Sequence, residues 1–193
     1  RTILAAVEHA RVSTHVQVLT VGVFVNDPPE MVAQVLRFCG LDMVQLHGEE
    51  APATLGLRES QSPLRGRAYK ALRPCTLDEA TGLARQYALP MHLQDKGSIP
   101  AFLIDAYHPD RRGGTGVTGD WGLASALSSQ YPLLLAGGLT PSNVAQAVHS
   151  VKPWGVDVAS GVEESPGKKD HAALRAFIAA AKATQGEKIE WTH

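Results

Sequence analysis

Six short apolar runs, each followed by a segment of helical periodicity, constrain this chain more than any other feature. They cover residues 18–25, 43–46, 67–72, 101–105, 133–136 and 155–159, and their starts fall 25, 24, 34, 32 and 22 residues apart. Runs this short and this continuous suit parallel strands buried on both faces. The segments between them carry helix punctuation. Asp27 is placed to cap a helix that starts at Pro28, turns Val32, Val35, Leu36 and Cys39 to one face, and stops at Gly40. Thr76 and Glu79 have capping-box spacing ahead of Ala80, Leu83, Ala84 and Tyr87. Pro141 opens a helix that buries Val144, Ala147, Val148 and Val151, and Asp170 opens the last one, with Leu174, Phe177, Ile178 and Ala181 inward. Strand–helix alternation at this pace makes an α/β fold with right-handed crossovers.

Two architectures satisfy that alternation, a doubly wound sheet and a (β/α)₈ barrel. No G-x-G-x-x-G follows the first run, which weakens the dinucleotide-binding form of the first. The second needs eight strands, so six runs in 193 residues leave it short by about two βα units. With 18 Lys and Arg against 19 Asp and Glu, the chain lacks the excess base that a nucleic-acid or anionic-membrane surface requires. Residues 121–151 contain no Asp, Glu, Lys or Arg, but Pro132, Gly137, Gly138, Pro141 and Asn143 among them exclude a spanning helix. Cys39 and Cys75, with no secretory pattern ahead of them, point to free thiols in a reducing, cytoplasmic compartment. The first residue is Arg1 and not Met, so either something was removed or the sequence starts partway through a gene.

In either architecture, ligands collect at the carboxyl ends of strands. Those ends offer Asn26, His47-Gly48, Arg73, Asp105, Gly137-Gly138 and the stretch Ser160-Gly161-Val162-Glu163. Gly137-Gly138 alone would pass for a tight turn. Paired with Ser160-Gly161 after the next strand, it reads as a phosphate cradle of backbone N–H groups. Asp105 ends an apolar run, and partial desolvation there would suit a general acid, although the same residue could cap its loop. Asp157, inside a strand run, must face a polar interior or pair with a base. Gly113-Gly114-Thr115-Gly116 reads as a mobile lid or a plain connector. The run from Gly161 to Lys168 imitates a Walker A loop, but Pro166 and the wrong spacing reject it. Scattered histidines without metal-ligand spacing argue against a metal centre. Cys39 is a core residue of its helix, and Cys75 reads either as a plain loop cysteine or as one that reaches the mouth of the site.

Five blocks in register carry a resemblance. They are 21–26 (VGVFVN), 42–48 (DMVQLHG), the stretch from Asp105 to Trp121 with its glycine cluster, 135–139 (LAGGL), and 154–163 (WGVDVASGVE) leading into 166–170 (PGKKD). The chain resembles phosphoribosylanthranilate isomerases of tryptophan biosynthesis. That resemblance implies a (β/α)₈ TIM barrel of the ribulose-phosphate-binding type, partial here with about six strands, as one domain over residues 1–193. It further implies an Amadori-type rearrangement of N-(5-phosphoribosyl)anthranilate with no metal or organic cofactor. By resemblance, Asp105 is the general acid at the furanose ring oxygen. Gly137, Gly138, Ser160 and Gly161 hold the phosphate, His47, Asp157 and Glu163 line the pocket, and Gly114 belongs to the covering loop.

Members of the family begin with a strand ending in a Lys-Ile-Cys-Gly-type motif, whose cysteine is the general base, and a second βα unit supplies an arginine for the anthranilate carboxylate. Neither motif occurs here, in keeping with the two-unit shortfall. These residues alone are therefore expected to be nearly inactive, and to expose the strands at 18–25 and 155–159 as open edges that favour self-association. Two other readings remain: another phosphate-binding barrel of the same pathway, such as indole-glycerol-phosphate synthase or the tryptophan synthase α chain, and a non-catalytic phosphosugar-binding remnant. Cys75 replacing the missing base is a further possibility. A monomer or homodimer is expected, with fusion to or association with indole-glycerol-phosphate synthase left open.

Overall fold

Met43-Val44-Gln45-Leu46 is buried at every position, as a strand covered on both faces must be. The computed structural model describes residues 2–14, 18–57, 62–88, 100–106 and 121–183. It divides into two units, one of Arg1–Ala71 with Gln86–Ala88, the other of Leu72–Arg85 with Leu89–His193.

The first unit contains α1 (Thr2–Thr14), β1 (Val21–Phe24), α2 (Pro29–Cys39), β2 (Met43–Leu46), α3 (Pro52–Leu55) and most of β3 (Ala68–Leu72). β1 pairs with β2 and β2 with β3, both parallel, setting Val23 beside Gln45 and Leu46 beside Lys70. Val32, Ala33 and Leu36 of α2 pack with Val44, Leu46, Leu55, Leu64 and Ala68. The Asp42 carboxylate draws the segment after α1 toward β2, accepting from the Thr20 N–H and hydroxyl, each at 2.6 Å, and from the Arg11 guanidinium. Burial opposes the Asp42 charge, but these bonds together hold its carboxyl below the usual range.

The second unit contains α4 (Leu77–Tyr87, whose last turn lies in the first unit), β4 (Phe102–Asp105), α5 (Trp121–Ser128), β5 (Leu133–Ala136), α6 (Val144–Val151) and β6 (Gly155–Val156). A single 3₁₀ turn (Ser160–Val162), the hairpin β7 (Glu163–Ser165) and β8 (Lys168–Lys169), and α7 (His171–Ala183) follow. β4, β5 and β6 are parallel neighbours in chain order, and Phe102 stacks obliquely on Tyr131 with ring centres 5.4 Å apart. Six parallel strands alternating with helices, which the apolar runs lead one to expect, are those of a partial (β/α) barrel, which the resemblance implies.

Several local expectations need correction. Pro28, not Asp27, is the N-cap of α2, with no side-chain cap bond, whereas Gly40 ends that helix at φ 67° as expected. The helix assigned to Pro141 starts at Val144, because residues 141–143 form a turn capped by Asn143. Ile178 is exposed, and Phe177 alone is buried on α7. β6 stops at Val156, so Asp157 follows the strand and does not lie within it. The β7–β8 hairpin had no period-2 signature to announce it. The edges behave as expected among the described residues. β1 pairs with β2 alone and leaves Val23 60% exposed, and β6 pairs with β5 alone.

Candidate active site

Most of the expected site residues lie in the second unit, at the carboxyl ends of β4, β5 and β6. Register sets Asp105 directly opposite Ala136, and the Ala106 N–H donates to the Ala136 carbonyl at 3.0 Å. The acid therefore stands one strand spacing, roughly 4.8 Å, from the strand that runs into Gly137-Gly138. Its side chain is 23% exposed, with the Arg73 Nε 3.6 Å from Oδ2. The sequence offers Arg73 as a strand-end residue; its approach to Asp105 is what the sequence does not reveal.

Gly137 and Gly138 take φ values of 93° and 65°, a left-handed pair that side chains resist. Asn143 fixes the bend: its Nδ2 donates to the Gly138 carbonyl at 3.0 Å, and its Oδ1 accepts the Thr140 N–H at 2.8 Å. The bend after β6 presses against this one. A Cβ built on Gly161 would lie 1.9 Å from the Leu139 carbonyl oxygen, a distance no side chain can occupy. The two glycine bends are thus in contact, and only glycine at 161 permits it. Ser160 and Asp157 are exposed beside them.

Glu163 begins the hairpin with its carboxylate 2.8 Å from Lys169 Nζ. The same ammonium donates to the Ala159 carbonyl at 2.7 Å, so Lys169 ties the hairpin to the turn that holds Ser160-Gly161. The bond from Lys169 holds the Glu163 carboxyl below its ordinary range. Lys169 stands where a Walker A loop would need Ser or Thr, and a hairpin occupies the place of the expected helix start, which supports rejecting that motif. The segment from Gly113 to Gly116, with Gly114, lies outside the described residues.

The first unit carries a polar cluster of its own at the ends of β1, β2 and β3. His47 sits just past β2, half-buried, with Nδ1 2.7 Å from Gln45 Nε2. Asn26, in the left-handed region at φ 58°, donates its N–H to Glu50 Oε1 at 2.8 Å and accepts the Glu49 N–H. Glu50 and Lys70 are 7% and 5% exposed and 3.3 Å apart. Lys70 Nζ also donates to the carbonyls of Leu46, Gly48 and Ala71, so every proton of the buried ammonium is used. Burial alone would raise the Glu50 carboxyl, but the Asn26 N–H and the Lys70 charge outweigh it and hold it low. A lysine in the middle of the apolar run 67–72 was a legible sign of a buried cation; its partner, twenty residues upstream, was not. Cys75 is exposed and Cys39 half-buried, and neither forms a disulfide.

With this geometry in view, comparison with known proteins is decisive. The family model for N-(5'phosphoribosyl)anthranilate (PRA) isomerase matches residues 1–180. The chain belongs to the PRA isomerase family. It is 42% identical over 168 residues to the N-(5'-phosphoribosyl)anthranilate isomerase of Pelobacter propionicus, covering 87% of this chain and 72% of that protein. Against the Geobacter sulfurreducens enzyme the identity is 44%, with 84% and 72% covered. The crystal structure of phosphoribosyl anthranilate isomerase from Thermotoga maritima superposes with a TM-score of 0.67 at 34% identity, covering 90% of this chain and 78% of that one. A PRA isomerase structure in complex with reduced 1-(o-carboxyphenylamino)-1-deoxyribulose 5-phosphate gives 0.65 at 33%, with 90% and 77% covered. Among the described residues, no helix is long and apolar enough to cross a membrane.

Proposed function

We propose that this chain carries the acid and phosphate-binding parts of a PRA isomerase, acting in tryptophan biosynthesis on N-(5'-phosphoribosyl)anthranilate. The observation that carries the reading is the contact between the two glycine bends, Gly161 against the Leu139 carbonyl, one strand away from Asp105. Backbone N–H groups of Gly137, Gly138, Ser160 and Gly161 receive the phosphate, with glycine allowing close approach. Asp105 gives its proton to the furanose ring oxygen. The bond from that oxygen to C1 breaks, and the anthranilate nitrogen lone pair forms a C1=N iminium. Loss of the C2 proton then yields an enolamine, which becomes the 2-ketone as C1 takes up a proton and the C2 hydroxyl gives one up.

Asp157 and Glu163 line the sugar side, Glu163 with its charge maintained by Lys169. His47 contributes to binding from the end of β2, and Gly114 to the covering loop. By the family resemblance, the group that removes the C2 proton is the cysteine of a Lys-Ile-Cys-Gly-type motif, a sequence these 193 residues do not contain. The two units belong to one barrel domain, a reading supported by a family match that runs unbroken over residues 1–180. A cytoplasmic enzyme follows from its phosphorylated substrate and free thiols. The protein acts as a monomer or homodimer, alone or fused to or associated with indole-glycerol-phosphate synthase.

The test is turnover of N-(5'-phosphoribosyl)anthranilate by the protein made from its complete reading frame, beside calorimetric binding of the reduced product analogue. Binding with turnover establishes the isomerase. Binding with none establishes a phosphosugar-binding remnant and overturns the reading.

A further inference from the structure

Gln45 and Tyr69 are both buried, at 6% and 4% exposure, in the middle of parallel strands where polar groups are costly. They face one another across the β2–β3 pairing, Gln45 beside Tyr69. The Tyr69 hydroxyl donates to Gln45 Oε1 at 3.1 Å, and Gln45 Nε2 meets His47 Nδ1 at 2.7 Å. An amide nitrogen donates and cannot accept, so in this arrangement Nδ1 is the acceptor and the neutral ring carries its proton on Nε2. With the Tyr69 hydroxyl donating to Oε1, the amide oxygen is occupied and the amide nitrogen is the end that meets the ring. A half-turn of the amide would make the hydroxyl the acceptor and turn Oε1 to the ring, which would then need its proton on Nδ1, so amide orientation and ring tautomer are set together.

We infer that Tyr69 and Gln45 are positioning residues for His47, a two-step relay that fixes its ring as a neutral Nε2–H donor for an oxygen acceptor on the substrate. The inference deepens the proposed function and rests on His47 lying at the substrate. A donor of fixed tautomer discriminates by geometry: an acceptor oxygen is bound, and a donor group at the same place is rejected.

The experiment uses the protein from its complete reading frame. Long-range ¹H–¹⁵N NMR spectra of the ring nitrogens, with the His47 signals assigned by loss in His47→Asn, report the tautomer directly. The parent is expected to show the Nε2–H form. Gln45→Glu, which keeps the shape but offers only acceptor oxygens, is expected to move the proton to Nδ1 and to lower kcat/KM by about tenfold, as for one misdirected hydrogen bond. Tyr69→Phe, which removes only the hydroxyl, is expected to give a mixture of tautomers with a smaller loss. An Nδ1–H form in the parent, or an unchanged tautomer in Gln45→Glu, overturns the relay. The relay with unchanged kcat/KM in His47→Asn would instead overturn the placement of His47 at the substrate. Circular dichroism of each variant separates a misfolded protein from a misdirected ring, and Tyr69→Phe keeps the question open to test should Gln45→Glu unfold.

Discussion

Replacing Gly161 with alanine should separate phosphate binding from folding more cleanly than any other single change. The added Cβ would lie 1.9 Å from the Leu139 carbonyl oxygen and 3.3 Å from a Val158 methyl group. A carbon–oxygen contact is comfortable at about 3.3 Å, so the two bends must part by roughly 1.4 Å. Backbone N–H groups set to hold an anion at about 2.9 Å lose it at that displacement, because hydrogen bonds fail well before 4 Å. Misplacement on this scale costs about 100-fold in binding or rate. The overpacking itself should cost about 1–3 kcal/mol, or about 2–4 °C in Tm for each kcal/mol. The assay is calorimetric titration of the complete reading-frame product with the reduced product analogue and with inorganic phosphate. Gly82→Ala provides the control, since a Cβ there meets nothing within 4 Å and lies inside α4. It should stabilise the fold by about 0.5–1 kcal/mol and leave binding alone. Unchanged phosphate affinity in a folded Gly161→Ala protein would refute the cradle.

Lys70→Met strands the Glu50 carboxylate in a site where its side chain is 4% exposed, and should cost about 3–5 kcal/mol by denaturant titration, with Glu50→Gln in the same chain restoring part of it. Glu50 is held below the usual carboxylate range, so its contribution is full above that range and fades as pH falls through it; Lys70→Met should flatten that acid limb. Lys169→Met frees the Ala159–Gly161 turn and is expected to raise KM more than it lowers kcat. The Glu163 carboxyl is lowered too, so the effect of Lys169→Met on stability should be full above the ordinary carboxylate value of about 4.5 and fade progressively as pH falls below it in melting curves taken across the range. The 193 residues by themselves, with Val21 and Val23 exposed along an edge strand and Val25 exposed just past it, should self-associate and turn over almost nothing. Light scattering that finds a monomer with one cooperative melt would contradict that expectation.

How much of this was legible in the sequence depended on whether the signal was local. Apolar runs gave the strand positions to within a few residues, because burial on both faces leaves no alternation to misread. Capping chemistry was local and therefore readable: Thr76 Oγ1 accepts the Glu79 N–H, Glu79 reaches back to the Cys75 N–H, and Asp170 accepts from Ala172 and Ala173. Strand ends were overextended at 18–25 and 155–159, where apolar residues continue past the pairing; Val25 and Asp157 both lie beyond it. Pairings across strands were invisible. Nothing in their spacing announces that register brings Gln45 beside Tyr69, or that the turn after β2 brings Glu50 to Lys70. The glycines at 137, 138 and 161 could be singled out as flexible points, but that 161 touches 139 is a tertiary fact.

The most direct test of Asp105 as the acid is its replacement by asparagine, which keeps the shape and removes the proton to be given. In the complete enzyme, kcat should fall by about 100- to 10,000-fold, the usual share of general acid catalysis, while the product analogue binds with unchanged Kd. Turnover that survives Asp105→Asn at the parental rate would mean that the proton reaching the ring oxygen comes from another group, and the assignment built on β4 would be wrong.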